Sequence, residues 1–305
     1  MSENAAGRVS LRDLRYLVAV DDHRHFGRAA ASCFVSQPTL STQLRKLEDA
    51  LGVQLVERSH RRVMLTPVGR RVADRARAVL NEVADIVDLA RGAADPLGGE
   101  LRLGVIPTVG PYLLPHLMPV LRTELPRLRV LLYEQQTGPS LIRLERGELD
   151  AAIMAAPING HGLESMPLFV EPFHLAVPAG HPLSRQQRIT MDDLETSQLL
   201  LLEEGHCLRD QALELCARAG AREDAEFRAT SLETLRQMVA SGAGITLLPA
   251  LAAAAGAGIP NQSAVAVRPF AAPAPHREIA IYWRRGAARE DTVRALGEVI
   301  SRLDV

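Results

Sequence analysis

Residues 26–70 read FGRAAASCFVSQPTLSTQLRKLEDALGVQLVERSHRRVMLTPVGR. Phe26-Gly27-Arg28-Ala29-Ala30-Ala31 forms a short Ala-rich helix whose small side chains allow close packing. Ser32 to Val35 make a short connection, and Ser36 stands where a helix N-cap belongs, with Pro38 in the first turn, where its missing N–H costs nothing. In the helix that follows to Leu51, Leu40, Leu44 and Leu47 share one face, and Thr39, Ser41, Thr42, Gln43, Arg45 and Lys46 share the other. Gly52 stops it. Val53–Arg58 and Val63–Leu65 read as two short strands joined by Ser59-His60-Arg61-Arg62. The whole is a helix-turn-helix followed by a β-wing.

Upstream, Leu11 to Val20 carries apolar residues near a helical period, followed by a polar break at Asp21-Asp22-His23-Arg24-His25. Downstream, Thr66-Pro67 opens a long helix to about Arg91. In it Val72, Ala76, Val79, Val83, Ile86 and Ala90 step alternately by four and three residues, the seam of a coiled coil. Two readings remain: a modest dimerisation helix, or a helix packed on its own domain. Ala93 to Glu100 is a linker by composition.

Beyond it strands and helices alternate. Strands are expected at 101–106, 130–133, 151–154, 173–177, 199–202, 227–229, 244–248, 265–267 and 279–283. Helices are expected at 113–125, 140–146, 208–219, 231–241 and 291–303, and Thr230 to Glu233 has the spacing of a capping box. Residues 250–258 read as an Ala/Gly loop. Such alternation means α/β with mostly parallel strands. The chain crosses from one lobe to a second near residue 170 and returns near 268, the layout of a hinged, two-lobed ligand-binding domain. The expected organisation is a winged helix-turn-helix over 1–66, a linker and dimerisation helix over 67–97, and a two-lobed domain over 98–305. Lobe I then takes about 98–170 and 268–305, and lobe II about 171–267.

Composition narrows the function. The 305 residues are 47% hydrophobic and 23% charged, as in ordinary globular proteins, with a net charge of −1. The average hides an asymmetry: residues 1–66 hold ten Lys and Arg against seven Asp and Glu, whereas residues 96–305 hold twenty against twenty-four. A basic head on a mildly acidic body suggests an anion-binding module joined to something else. Aromatics are 4%, too few for single-strand stacking platforms. Three cysteines, Cys33, Cys207 and Cys216, make neither a disulfide scaffold nor a zinc site. No signal peptide, membrane span, metal or cofactor is expected, and the setting expected is a reducing cytoplasm.

On the head, Gln37, Pro38, Thr39, Ser41, Thr42 and Arg45 supply the short polar and basic side chains that read base edges in duplex DNA. Arg58, Arg61 and Arg62 in the wing suit phosphates or the minor groove. Any one of these arginines could equally belong to a solvated face; the ordered set is what points to DNA.

In the body, Leu199 to Gln211 reads LLLLEEGHCLRDQ, with Cys216 nine residues after Cys207. Cys207 falls where a strand ends and a helix begins, and a helix N-terminus lowers a thiol pKa. His206 and Arg209 would lower it further, Glu203 and Glu204 would oppose. A thiolate attacks peroxide to give a sulfenic acid, and a second thiol resolves it to a disulfide. Cys216 is the available second thiol, but nine residues of helix put the two Cα atoms ~13 Å apart, beyond the ~7 Å a disulfide tolerates. Bonding therefore requires the segment to refold, which would make a switch. The other reading is that both are buried cysteines acting as small hydrophobes, as Cys33 is expected to be.

The quoted stretch resembles the N-terminal domain of LysR-type transcriptional regulators: F-x-x-A-A-x, S-Q-P-T-L-S-x-Q-L-R-x-L-E-x-x-L-G-V-x-L-x-E-R and L-T-x-x-G match without a gap over residues 9–70. The resemblance implies a winged helix-turn-helix, a dimerising linker helix and a C-terminal domain like a periplasmic binding protein. It also implies a homodimer assembling to a homotetramer on double-stranded promoter DNA, with RNA polymerase as a further partner. EEGHCLRDQALELCARAG, FRATSLETLRQMVASGAGITLLPAL and IPTVGPYLLPHLMP are similar to the hydrogen-peroxide-sensing OxyR branch of that family. That similarity implies a peroxidatic Cys207, a resolving Cys216 and a peroxide pocket lined by Thr108, Thr137, His206, Arg209, Asp210 and Arg277. It also implies control of antioxidant genes. The competing expectation is a LysR-type regulator whose effector is a metabolite held between the lobes. An enzyme using a Cys207–His206 pair is disfavoured, because adjacent residues on such a turn point apart and no orienting third group is evident.

Overall fold

Alternating helix signals at the N-terminus fold as expected, and tertiary contacts explain where the elements stop. A computed structural model describes residues 7–58, 63–92, 95, 97–158, 160, 162–255 and 264–304. The chain divides at Arg91/Gly92 into two units.

In the first unit, α1 (Leu11–His23) is closed by a capping box in which Ser10 and Asp13 exchange hydrogen bonds. It runs through Asp21 and Asp22, where the sequence suggested a break. Both carboxylates accept from the buried Arg77, so their charge is neutralised within the fold and the helix continues to Arg24, whose φ is 46°. His25 caps α2 (Phe26–Ser32), its Nδ1 accepting from the Gly27 and Arg28 amides. Ser36 caps α3 (Gln37–Leu51), accepting from the Thr39 amide at 3.3 Å. Leu40, Leu44 and Leu47 are buried beside Leu17 and Val20, and Cys33 packs against the same cluster.

The wing pairs β1 (Val56–Arg58) with β2 (Val63–Leu65) antiparallel. Glu48 of α3 ties it down, its Oε1 accepting from the Leu55 and Val56 amides at 2.9 and 3.0 Å. The long helix α4 (Pro67–Gly92) follows. Gly69 is required there, because a Cβ would lie 2.1 Å from the Leu55 carbonyl oxygen. Arg77 anchors the first half of α4 to α1. Further along, Val79, Ile86, Val87 and Leu89 remain exposed, Ile86 by 63%.

The second unit has two hydrophobic clusters. The first is built on β3 (Gly99–Val105), β4 (Leu128–Glu134), β5 (Ala151–Ala156) and β11 (His276–Arg284), covered by α5 (Gly110–Glu124), α6 (Thr137–Glu145) and α10 (Glu290–Ser301). The second gathers β7 (Gln198–Leu202), β8 (Arg222–Ala229), β9 (Thr246–Pro249) and β10 (Val265–Pro269). Helices α7 (Cys207–Ala219), α8 (Leu232–Ala240) and α9 (Ala250–Ala255) accompany them. β6 (Leu163–Pro178) serves both: its first part pairs with β11, its last with β9 and β10.

The expectation of mostly parallel strands is corrected. β3/β4, β3/β5 and β7/β8 are parallel, whereas β5/β11, β6/β11, β6/β9 and β6/β10 are antiparallel. The reason is directional: β6 carries the chain out to the second cluster and β11 brings it back, so the two neighbours run opposite ways. The strand expected at 173–177 is only the far end of this 16-residue strand. Residues 250–255, expected as loop, form a helix. Alanine favours it, and Glu171 accepts from the Leu251 amide at its start. The cap of α8 is Ser231, which accepts from the Thr234 amide; the Thr230–Glu233 capping box is not formed. Among the described residues no helix is long and apolar enough to cross a membrane.

Candidate functional site

Strand β7 ends at Leu202, the chain turns through Glu203-Glu204-Gly205-His206, and α7 begins at Cys207. Gly205 holds the turn at φ 93°, a backbone conformation that favours glycine, and a Cβ there would have to push the Gln136 amide aside. Gln136 is the N-cap of α6 and donates from Nε2 to the Glu204 carbonyl at 3.5 Å. The thiol loop of the second cluster therefore leans on the first turn of a helix belonging to the first.

Cys207 itself is half-buried and packs against the first cluster, although the rest of α7 belongs to the second. Tyr112 of α5 makes the reverse crossing, packing against the second cluster. Cys216 is buried within the second, and burial, aided by the Glu223 carboxylate, pushes its thiol pKa up. Both are free thiols. Burial thus disfavours the Cys216 thiolate.

Thr137 is the first residue of α6, next to Gln136. Its Oγ1 is buried and has no hydrogen-bond partner among the described residues, which is costly unless a ligand meets it. Thr108 and Arg277 are brought together: Nη1 of Arg277 donates to Thr108 Oγ1 at 2.8 Å and Nη2 to the Thr108 carbonyl at 2.9 Å. Accepting there leaves the Thr108 hydroxyl hydrogen free to donate elsewhere. Arg277 is held from behind by Glu171, whose Oε2 accepts from Nε at 2.8 Å, the pair being 0% and 2% exposed.

Other expected residues are placed differently. Arg209 is engaged by Glu223 through two 2.7 Å hydrogen bonds and donates to the Leu202 carbonyl. It therefore braces strand to helix rather than standing free beside the thiol. His206 is buried, and burial pushes its pKa down against the opposing pull of Glu203, so it is a neutral imidazole. Neither supplies the free cation expected near Cys207. Asp210 is exposed in the first turn of α7. Sequence reasoning missed Glu171, Gln136, Gly205 and Glu223. Only Gly205 carried a local signal, a glycine directly before a helix start.

On the first unit, Gln37, Pro38, Thr39, Thr42 and Arg45 are exposed on α3, and Ser41 is partly so. Arg58 is in β1, its side chain outside the described residues; Arg61 and Arg62 also lie outside them.

Known proteins are similar to this chain over both of its units. The family of bacterial regulatory helix-turn-helix proteins of the LysR type matches residues 11–70, and the LysR substrate binding domain matches residues 94–303. The DNA-binding transcriptional dual regulator OxyR of Escherichia coli K12 is 48% identical over 300 residues, 97% of this chain and 96% of that protein. A full-length OxyR variant from Pseudomonas aeruginosa superposes with a TM-score of 0.80 at 41% identity, over 97% of this chain and 96% of that one. An H2O2-bound OxyR mutant from Corynebacterium glutamicum superposes at 0.66 with 35% identity, over 96% and 92%. With both parts of the chain matched in order over nearly its full length, the protein belongs to the LysR family of transcriptional regulators, in the OxyR branch.

Proposed function

We propose that this regulator senses hydrogen peroxide through Cys207 and converts its oxidation into a Cys207–Cys216 disulfide that changes how the protein acts on promoter DNA. One observation carries the reading: a half-buried thiol opens a helix at the seam of two clusters, and a second, buried thiol sits on the same helix. The Cys207 thiolate attacks one peroxide oxygen and the O–O bond breaks. The sulfur becomes a sulfenic acid, and the departing hydroxide takes a proton to leave as water. The Cys216 thiol then displaces the sulfenic hydroxyl, so two thiols and one peroxide become one disulfide and two waters. Thr137 Oγ1 and the Thr108 hydroxyl hydrogen are the polar groups left over to orient the peroxide. Helical geometry separates the cysteines by ~13 Å, so the second step requires α7 to unwind.

In this reading residues 1–66 bind duplex DNA through Gln37, Thr39, Ser41, Thr42, Arg45 and the wing arginines. Residues 67–97 pair two chains along the exposed Val79 and Ile86 side chains, and residues 98–305 hold the switch. Dimers assemble to tetramers and engage RNA polymerase in the cytoplasm, with antioxidant genes as the output. The chain transmits a signal and turns over no substrate.

Peptide mass mapping of reduced protein before and after one equivalent of hydrogen peroxide tests the proposal. A Cys207–Cys216 linkage is expected in the native chain, and its absence in Cys207→Ser together with loss of the peroxide response. If both thiols stay reduced while the protein binds its promoter, the sensor reading is lost.

A further inference from the structure

Between α2 and α3 the chain makes a tight turn centred on Phe34. The Phe34 amide donates to the Ala31 carbonyl at 3.1 Å, and the Val35 amide reaches back to the Ala30 carbonyl at 3.0 Å. That is the Schellman pattern, which needs a left-handed residue at its C′ position, ordinarily glycine or asparagine. Here the position holds phenylalanine at φ 56°, a conformation that a bulky side chain adopts only at a cost. The ring gains nothing within the fold in return. Cys33 and Val35 on either side pack against the cluster of the head, while Phe34 is 95% exposed. A costly backbone and an unburied aromatic coincide at one residue.

Its surroundings identify what the ring meets. Ser36 caps α3 two residues later, and the exposed Gln37, Pro38 and Thr39 follow directly. In a helix-turn-helix it is the N-terminal end of this helix that enters the major groove. The head also carries the basic excess of the chain, ten Lys and Arg against seven Asp and Glu over residues 1–66, so the duplex is the partner its charge favours. We infer that Phe34 is a DNA-contacting residue, packing its ring on the apolar edge of the duplex, thymine methyl and deoxyribose, at the margin of the site read by α3. Apolar contact of phenylalanine with thymine methyl is an established mode of readout. The inference rests on the DNA-binding role of the head.

The test uses full-length protein, a duplex that it selects from a randomised pool, and fluorescence anisotropy across a salt series. Phe34→Asn keeps the left-handed turn and removes the ring; Phe34→Tyr keeps the ring. Phe34→Asn is expected to bind about fivefold more weakly, with the dependence of affinity on salt unchanged, because no phosphate contact is lost. Its Tm is expected to equal or exceed that of the parent, since asparagine suits the turn better. Phe34→Tyr is expected to bind within about twofold of the parent. Unchanged affinity in Phe34→Asn overturns the inference. So does a loss of affinity matched by a fall in Tm, which marks a structural role, or one matched by altered self-association, which marks a contact between copies. A parent protein that selects no duplex removes the DNA-binding role itself, a result read before any variant is made.

Discussion

Cys207 packs against the first hydrophobic cluster and Cys216, nine residues further along the same helix, is buried in the second. One helix thus connects two cores through two thiols that cannot meet while it is intact. Joining them means pulling Cys216 out of one cluster or Cys207 away from the other. The cost of unwinding α7 then sets how readily the disulfide closes. Glu214 is exposed in mid-helix, and Glu214→Gly lowers helix stability by about 0.5–1 kcal/mol. Disulfide closure after a peroxide pulse is expected to accelerate by about two- to fivefold, read by quenched-flow mass spectrometry; an unchanged rate would mean that unwinding does not limit the step.

The loop before Cys207 depends on Gly205. Gly205→Ala forces a left-handed alanine and pushes the Gln136 amide that the loop leans on, so the turn carrying Cys207 shifts. Oxidation of Cys207 is expected to slow by about tenfold or more, in line with the sensitivity of reacting geometry to small displacements, with little change in circular dichroism. Competition kinetics against a reference thiol measures it.

Arg277 and Glu171 form a buried pair joining the Thr108 loop, β6 and the start of α9. Arg277→Ala leaves a buried carboxylate uncompensated, and about 3–5 kcal/mol of stability is expected to be lost. Trp283 is the single tryptophan and is fully buried in the same cluster as the β11 core, so its fluorescence during urea unfolding reports the change directly. The paired replacement Glu171→Leu with Arg277→Met is expected to recover much of it.

His206 is buried and His174 half-buried, and desolvation pushes both pKa values down, with Glu203 and Glu171 respectively opposing. The unfolded chain then binds protons that the folded one refuses. Stability is expected to be full above the ordinary histidine pKa of about 6.5 and to decline as pH falls below it toward the lowered folded values. Denaturant midpoints measured from pH 7.5 down to pH 5.5 should fall, and His206→Asn should flatten the dependence.

Of the seam expected on α4, Ala76 is buried and Val72 packs within the head, whereas Val79 and Ile86 are exposed. Ile86 is 63% exposed and Val79 44%, so Ile86→Glu costs the single chain almost nothing yet places a charge in any paired helix. Sedimentation equilibrium is expected to show weaker self-association at an unchanged Tm. Equal association would favour the reading in which α4 pairs with nothing.

How far the sequence could be read depended on whether the determining contacts were local. The helix-turn-helix was legible because its signals lie within a few residues of what they control: Ser36 caps α3, Gly52 ends it, and the leucines repeat on one face. The two cysteines were visible at the start and middle of one expected helix for the same reason, whereas Thr108 and Thr137 were named only by the resemblance to known regulators. The state of their neighbours was not legible. Arg209 reads as a cation beside a thiol until Glu223, fourteen residues away, takes its guanidinium. Arg277 finds Thr108 across 169 positions and Glu171 across 106.

By itself, then, the amino-acid sequence determined the helices and wing of the head, the Ser36 cap, the exposed polar face of α3 and the position of two cysteines on one helix. Those follow from propensity, hydrogen bonding within a turn and hydrophobic period, all short-range. Only the tertiary structure decided that β6 and β11 run antiparallel between two cores, that His206 is buried and neutral, and that Cys207 faces one core while Cys216 belongs to the other. Those depend on desolvation and on pairings between residues far apart in the chain, which local pattern does not encode.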